Sequence, residues 1–328
     1  MDRLSYSIVD VFSSVPYKGN PLAVVDNTTD SLTETQMQLI SRQFNLSETT
    51  FICPPIKPGS TYRLRSFLPN GEEVFGAGHN SLGAWWYIAD SGLVELDTMQ
   101  QASIYHQELG YAVLPVEVAK SAQGEFLITM SQGSPQALQK HPDLASLASA
   151  LGLDPSDIGF EYGGRSLAQP QVVTTSPARH LMAPIRDRDT LDRLDFSNQE
   201  AIARELVRTE SHNSGVYAFT PIGNSNGVLK LEARFFSPGM GMEDPATGSA
   251  AGPLAAFLCE NEIVHGLDKK RGSVEIQVVQ GLKKGRECVM RLLASRETDT
   301  NTLKIRISGT GVLVSEGSLI VPSPDICF

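Results

Sequence analysis

Three observations predict an α+β protein made of two related halves. Strand-like and helix-like segments are mixed without the strict βαβ alternation of a doubly wound sheet. The 328 residues suffice for two domains, each with its own core. One Arg, Phe, Pro and Gly pattern occurs twice along the chain.

Taken in order, Tyr6 to Phe12 mixes alternation with β-branched residues, Gly19-Asn20-Pro21 punctuates, and Leu22 to Val25 resumes an apolar run, which predicts two strands joined by a turn. Ser31 with Glu34 forms a capping-box pattern ahead of Met37, Ile40 and Phe44 at helical spacing. Thr49 to Ile52 and Tyr62 to Phe67 alternate like strands, and Ser81 to Ala89 reads as a buried helix ending near Gly92. Tyr111 to Val118 and Glu125 to Met130 read as strands, Pro115 marking an edge or a crossing between domains. Leu144, Leu147 and Leu151 outline a helix stopped by Gly152, and Ser197 with Glu200 makes a second capping box before Ile202 and Leu206. Further strands are expected over Gly215 to Pro221, Val228 to Phe236, Ser273 to Val279, Glu287 to Leu293 and Leu303 to Val314.

The internal repeat pairs Arg65-Ser66-Phe67-Leu68-Pro69 with Arg234-Phe235-Phe236-Ser237-Pro238. Gly78 and Gly248 follow their arginines by 13 and 14 residues, each opening an apolar helix that carries a second glycine, Gly83 or Gly252. The expected organisation is a first domain over residues 1–115 and a second over 116–315. A linker falls near 110–120, and a C-terminal strand over about 316–328 returns to the first domain. Duplicated halves facing each other would make a cleft between two helix N-termini.

Composition narrows the function. With 27 Lys and Arg against 37 Asp and Glu the net charge is −10, so a nucleic-acid backbone is repelled on average. Cys53, Cys259, Cys288 and Cys327 show no CxxC pair and no regular spacing, which argues against a disulfide framework or zinc knuckle and favours a reducing, cytoplasmic setting. Met1 to Tyr6 carries an early acid and no signal-peptide pattern, and no apolar run approaches the roughly 20 residues a membrane helix needs. HExxH and clustered histidine ligands are missing, and Gly76-Ala77-Gly78 lacks the full dinucleotide-binding spacing, so neither a metal nor a cofactor is expected.

The chemistry concentrates at the two helix starts. Gly76 to Ser81 and Glu243 to Ala250 place Gly and small polar residues where backbone N–H groups and the helix dipole favour an anion such as a carboxylate. His79 lies where the dipole disfavours an imidazolium. Gly, Ser, Thr and Asp are also ordinary capping residues, so no single position identifies an enzyme.

These residues carry a resemblance. Gly19 to Val25, Asn45 to Phe51, Gly78-His79 with Leu82, Arg234 to Pro238, and Glu243-Asp244-Pro245-Ala246-Thr247-Gly248-Ser249-Ala250 resemble the successive signatures of the PhzF-like (phenazine biosynthesis-like) isomerases, relatives of diaminopimelate epimerase. The resemblance implies two pseudo-symmetric domains, each a curved, mostly antiparallel sheet or barrel around a central helix. It also implies a site between them and a homodimer. By the same match Glu48 is the proton-transferring carboxylate, and His79, Asp244 and Ser249 are the other catalytic polar residues. Asn20, Gly78, Asn80, Thr247 and Gly248 are expected at a small carboxylate substrate. The related epimerases use two cysteines as acid and base, and no Cys neighbours Gly78 or Gly248 in sequence, which favours the single carboxylate. Two departures stand out. Asn80-Ser81 replaces the family's small residue and Thr, and Glu287-Cys288 replaces Pro-Ser after Gln280-Gly281 and Arg286. Gly309 to Val312, followed by Glu316-Gly317, resembles the closing strand pair.

The reading that follows is a cofactor-independent isomerase. Ser249, His79 and Asp244 also supply the residue types of a serine-type hydrolase, although Thr247-Gly248-Ser249-Ala250-Ala251 lacks the G-x-S-x-G elbow. A non-catalytic small-acid-binding or scaffold protein with the same fold is the third reading.

Overall fold

The computed structural model describes every residue except 1, 77, 97–101, 122, 265–271 and 298, so Met1 and Ala77, quoted above, lie outside the described residues. The chain divides into Met1–Met130 with Ser308–Phe328, and Ser131–Ile307. The segment expected to link the halves is therefore not a linker. It forms the strand Ala112–Lys120, which pairs with Ser103–Leu109, a strand that sequence reading missed, and with Phe126–Ser131. Pro115 sits opposite His106, outside the stretch of Val116 to Lys120 that also pairs with the next strand, so its missing N–H costs one ladder at most.

In the first unit Arg3–Val11 runs antiparallel to both Asn20–Asp26 and Gly311–Ile320. Asn20–Asp26 is parallel to Thr49–Cys53, which is antiparallel to Tyr62–Phe67, and the last is parallel to Ser103–Leu109. The continuous strand expected over Leu303 to Val314 is two strands, Leu303–Gly309 and Gly311–Ile320, broken at Thr310, whose carbonyl accepts from Phe12 N at 2.8 Å.

Among the described residues two helices complete the unit. Helix α1 (Glu34–Phe44) starts from Thr33, whose hydroxyl accepts from Gln36 N while Gln36 Oε1 accepts from Thr33 N. The capping box is thus Thr33 with Gln36, not Ser31 with Glu34. Ser31 bonds Asn27 instead, and Glu34 pairs with Arg65. Met37 and Ile40 of α1 pack on Phe51 and Phe67. Helix α2 (His79–Asp90) begins two residues earlier than the pattern predicts. Leu82, Ala84, Trp85 and Ile88 are fully buried, and the strands around α2 include Arg3–Val11, Asn20–Asp26, Thr49–Cys53 and Gly311–Ile320. A helix apolar on all sides needs such a wrapping sheet.

The second unit repeats this connectivity. Gln136–Lys140, Gln171–Thr174 and His180–Pro184 pair antiparallel in that order. His180–Pro184 is parallel to Val216–Ser225, which is antiparallel to Val228–Ser237, and that strand is parallel to Ser273–Gln280, itself antiparallel to Cys288–Arg296. Helices α3 (Leu144–Ala150), α4 (Arg188–Arg193) and α5 (Gln199–Arg208) surround Leu147, Leu191, Ile202 and Leu206 in a core shared with Val172 and Val216. Asn198 caps α5 by accepting from Ala201 N, displacing the expected Ser197, which bonds Asp195. Helix α6 (Gly248–Glu260) is the counterpart of α2, packed against Gln171–Thr174, His180–Pro184 and Cys288–Arg296. Each unit is a curved, mostly antiparallel sheet around one apolar helix, the architecture expected.

Candidate active site

The repeated arginine has the same local task in both units. Arg65 makes a two-pronged ion pair with Glu73 at 2.7 and 2.6 Å, and Arg234 makes one with Glu243 at 2.9 and 2.9 Å. Each pair clamps the strand of the arginine to the short strand Glu73–Val74 or Met242–Asp244, just before α2 or α6 begins. Bidentate geometry fixes both position and direction of that approach. Sequence reading found the arginines, quoted Glu243 only as part of the helix-start motif and missed Glu73, although a Glu follows each arginine by eight or nine residues.

In the first unit the clamp leads to a compact polar group. Glu48 immediately precedes the strand Thr49–Cys53, and His79 is the first residue of α2. His79 Nε2 lies 3.3 Å from Glu48 Oε2 and 3.4 Å from Ser47 Oγ. The imidazole is 7% exposed and the Glu48 side chain 19%, so the pair is largely screened from water, and Glu48 Oε2 is buried with no hydrogen-bond partner among the described residues. Parallel register places Leu22 level with Glu48, so Asn20, buried opposite Val11, lies at the same end of the sheet. The Gly78 amide, expected to face a ligand, donates to Asn80 Oδ1 at 3.0 Å. Asn80 Nδ2 in turn donates to Ser66 Oγ at 3.1 Å and Gly76 O at 3.2 Å.

The second unit organises Asp244 and Thr247 around one buried amide. Gln280 Nε2 donates to Asp244 O at 2.8 Å and to Thr247 Oγ1 at 3.0 Å, while Gln280 Oε1 accepts from Tyr217 Oη at 2.9 Å and Thr247 N at 3.3 Å. Thr247 donates its hydroxyl to Asp244 Oδ2 at 2.7 Å. Asp244 thus stabilises the turn into α6, and its hydroxyl partner is fixed. Gly281 has φ +89°, and a Cβ there would lie 2.7 Å from Pro245 O, so the Gln280-Gly281 pair braces this turn. Gly248 and Ser249 are the first two residues of α6, where helix N–H groups lack intrahelical partners.

His180 and Ser214 were not singled out from sequence. The His180 ring is fully buried, with Nδ1 2.6 Å from Ser214 Oγ and the Ser249 backbone beside it, and burial pushes its pKa down to about 3. Burial likewise raises the Tyr217 hydroxyl well above its ordinary range. All four cysteines are free; Cys288 is buried and lies across the ladder from Gln280, closer in space to the α6 turn than its sequence position suggests. Among the described residues no His, Cys, Asp and Glu cluster could hold a metal ion, and no helix is long and apolar enough to cross a membrane.

Comparison with known proteins places this architecture. The profile of the phenazine biosynthesis-like proteins (PhzC-PhzF) matches residues 9–317. An uncharacterised isomerase of Mesorhizobium japonicum is 31% identical over 98% of this chain and 100% of its own. The trans-2,3-dihydro-3-hydroxyanthranilate isomerase of Pseudomonas fluorescens is 28% identical over 97% of this chain and 99% of its own. Among solved structures, a PhzF-family phenazine biosynthesis protein of Bacillus anthracis superposes with a TM-score of 0.81 at 24% identity, covering 98% of this chain and 100% of that one. A hydroxyproline epimerase of Agrobacterium vitis shares the fold at 9% identity, with a TM-score of 0.58 over 99% of this chain and 93% of that one. Both of these curated relatives are named isomerases. A match that spans both duplicated units and carries that enzyme class with it makes this chain a member of the PhzC-PhzF, phenazine biosynthesis-like family, and an isomerase.

Proposed function

We propose that this isomerase moves a proton on a small carboxylate substrate with Glu48 as the general acid and base, without a cofactor. The observation that carries the reading is the 3.3 Å approach of Glu48 Oε2 to His79 Nε2 at the start of an apolar helix. A carboxylate set beside an imidazole in a largely buried position can take a proton from an activated C–H and return it to another carbon of a conjugated system. His79 orients the carboxylate and receives or supplies a hydrogen bond as its charge changes. In the same reading Asp244 orients the substrate or relays a proton, and Ser249 with the N–H groups at the start of α6 favours an acid group. Asn20 lines the Glu48 end of its sheet.

The name of the Pseudomonas relative supplies a probe, trans-2,3-dihydro-3-hydroxyanthranilate, to be set among other unsaturated small acids. In deuterated water the protein is expected to incorporate deuterium at carbon, and Glu48→Gln to lower that rate by about 10³-fold while the fold is kept. Equal exchange by the variant overturns the role of Glu48. A bound acid that shows no exchange with either protein overturns proton transfer itself.

A further inference from the structure

Asn80 follows His79 in α2, and its carboxamide is bonded within the protein. It is 3% exposed, and its carboxamide is engaged on both sides: Oδ1 accepts from Gly78 N, and Nδ2 donates to Ser66 Oγ and Gly76 O. Ser66 continues the chain, its hydroxyl 2.8 Å from Thr50 Oγ1. Thr50 and Ser66 face each other across the antiparallel ladder and are 0% and 1% exposed. One end of this relay is thus two residues from Glu48 and the other is next to His79. A Cβ on Gly78 would lie 3.3 Å from Asn80 Oδ1, so the glycine leaves the carboxamide the room it occupies.

We propose that Asn80 is a positioning residue, and that the buried Thr50–Ser66–Asn80–Gly78 relay fixes the start of α2 to the strand after Glu48 and so holds His79 against the carboxylate. The inference rests on the proton-transfer reading above and deepens it. An isolated N-cap glycine has no side chain with which to hold the first turn, and here a residue inside that turn folds back to do so. The carboxamide suits the task because it accepts from the backbone and donates to the hydroxyl at once. A small apolar residue at position 80 offers neither bond.

The test separates position from mere stability. In the unsubstituted protein, Glu48→Gln is expected to shift the His79 Nε2 ¹⁵N resonance, because the two side chains touch. In an Asn80→Ala background the same change is expected to leave that resonance within its line width. With trans-2,3-dihydro-3-hydroxyanthranilate as the exchange probe, Asn80→Ala is expected to lower kcat about tenfold or more with KM changed less than about twofold. Asn80→Asp, which keeps the acceptor for Gly78 N but loses the donor to Ser66 Oγ and Gly76 O, should leave most of that loss in place. Ser66→Ala breaks the relay at its middle and is the second variant should Asn80→Ala fail to fold. Its loss and that of Asn80→Ala should not add in the double variant. An undiminished Glu48→Gln shift in both backgrounds overturns the proposal, as does an effect of Asn80→Ala on KM alone. The resonance experiment needs no turnover, so a failure of the isomerase substrate reading leaves it decisive for the positioning.

Discussion

The two units share connectivity, the arginine clamp and a central apolar helix, yet they carry different polar groups at matching points. Phe67 faces Thr49 across the ladder and Phe236 faces Val216 in the same way, so the position of Glu48 corresponds to Gly215. Ser47 then matches Ser214, and Leu22 matches His180. A Cβ on Gly215 would overlap the carbonyl of Phe236, so the second unit has no room for any side chain where the first carries its carboxylate. The two helix starts are also braced differently, by Asn80 within α2 and by Gln280 from a neighbouring strand of α6. Duplication reproduces the frame because it is set by clamps and core packing. Chemistry diverges because it needs only a few atoms at the frame's open end.

The arginine clamps give the largest expected effect on stability. Arg234 and Glu243 are 9% and 11% exposed, and Arg234 Nη1 also donates to the carbonyls of Leu191 and Leu194, so Arg234→Met should cost about 3–5 kcal/mol in denaturant unfolding. Arg65→Met should cost nearer 1–2 kcal/mol, since Glu73 and Glu34 are 21% and 60% exposed and rehydrate when unpaired. Equal costs would break the argument that the second clamp is the more buried one. Next comes Gly215→Ala, with a penalty of about 2–3 kcal/mol from overpacking against the Phe236 carbonyl. A neutral result there would mean that a base could have been kept in both units.

His180→Leu, which restores the residue type of the first unit, sharpens the comparison through pH. The folded ring stays neutral down to about pH 3, whereas its ordinary pKa is 6.5. Between those values the unfolded chain binds more protons, so the stability from the neutral ring is complete above about pH 6.5 and falls as pH drops, by up to about 1.4 kcal/mol per pH unit. The variant should flatten this acid limb in urea midpoints taken between pH 4 and 6.5. A residual slope remains from His141, whose pKa burial also lowers. An unchanged limb would show that His180 is protonated in the folded state.

Much of this was legible in residues. The Thr- and Val-rich runs became strands because alternation survives wherever one face of a sheet is buried. The helix caps were displaced by one or two residues, to Thr33 and Asn198, because several Ser, Thr and Asn side chains compete for the same N–H groups and only the entry angle of the chain selects one. Strand Ser103–Leu109 was hidden by its polar alternation, and the short strands Gln171–Thr174 and His180–Pro184 by their length. Glu48 and His79 were named from motif likeness, but their 3.3 Å contact joins residues 31 positions apart, a distance no local pattern encodes.

By itself the sequence determined the fold class, the duplication and the set of side chains able to do chemistry, because periodicity, repeated turn residues and residue type are local properties. The tertiary structure alone decided which partners those side chains take. Pairing register sets Gln280 against Thr247, leaves Gly215 no space for a base, and turns Asn80 inward to the backbone. Register is a long-range outcome of burying one face of each sheet, so the same short motif can end as a bond to a helix start or as a bond within it.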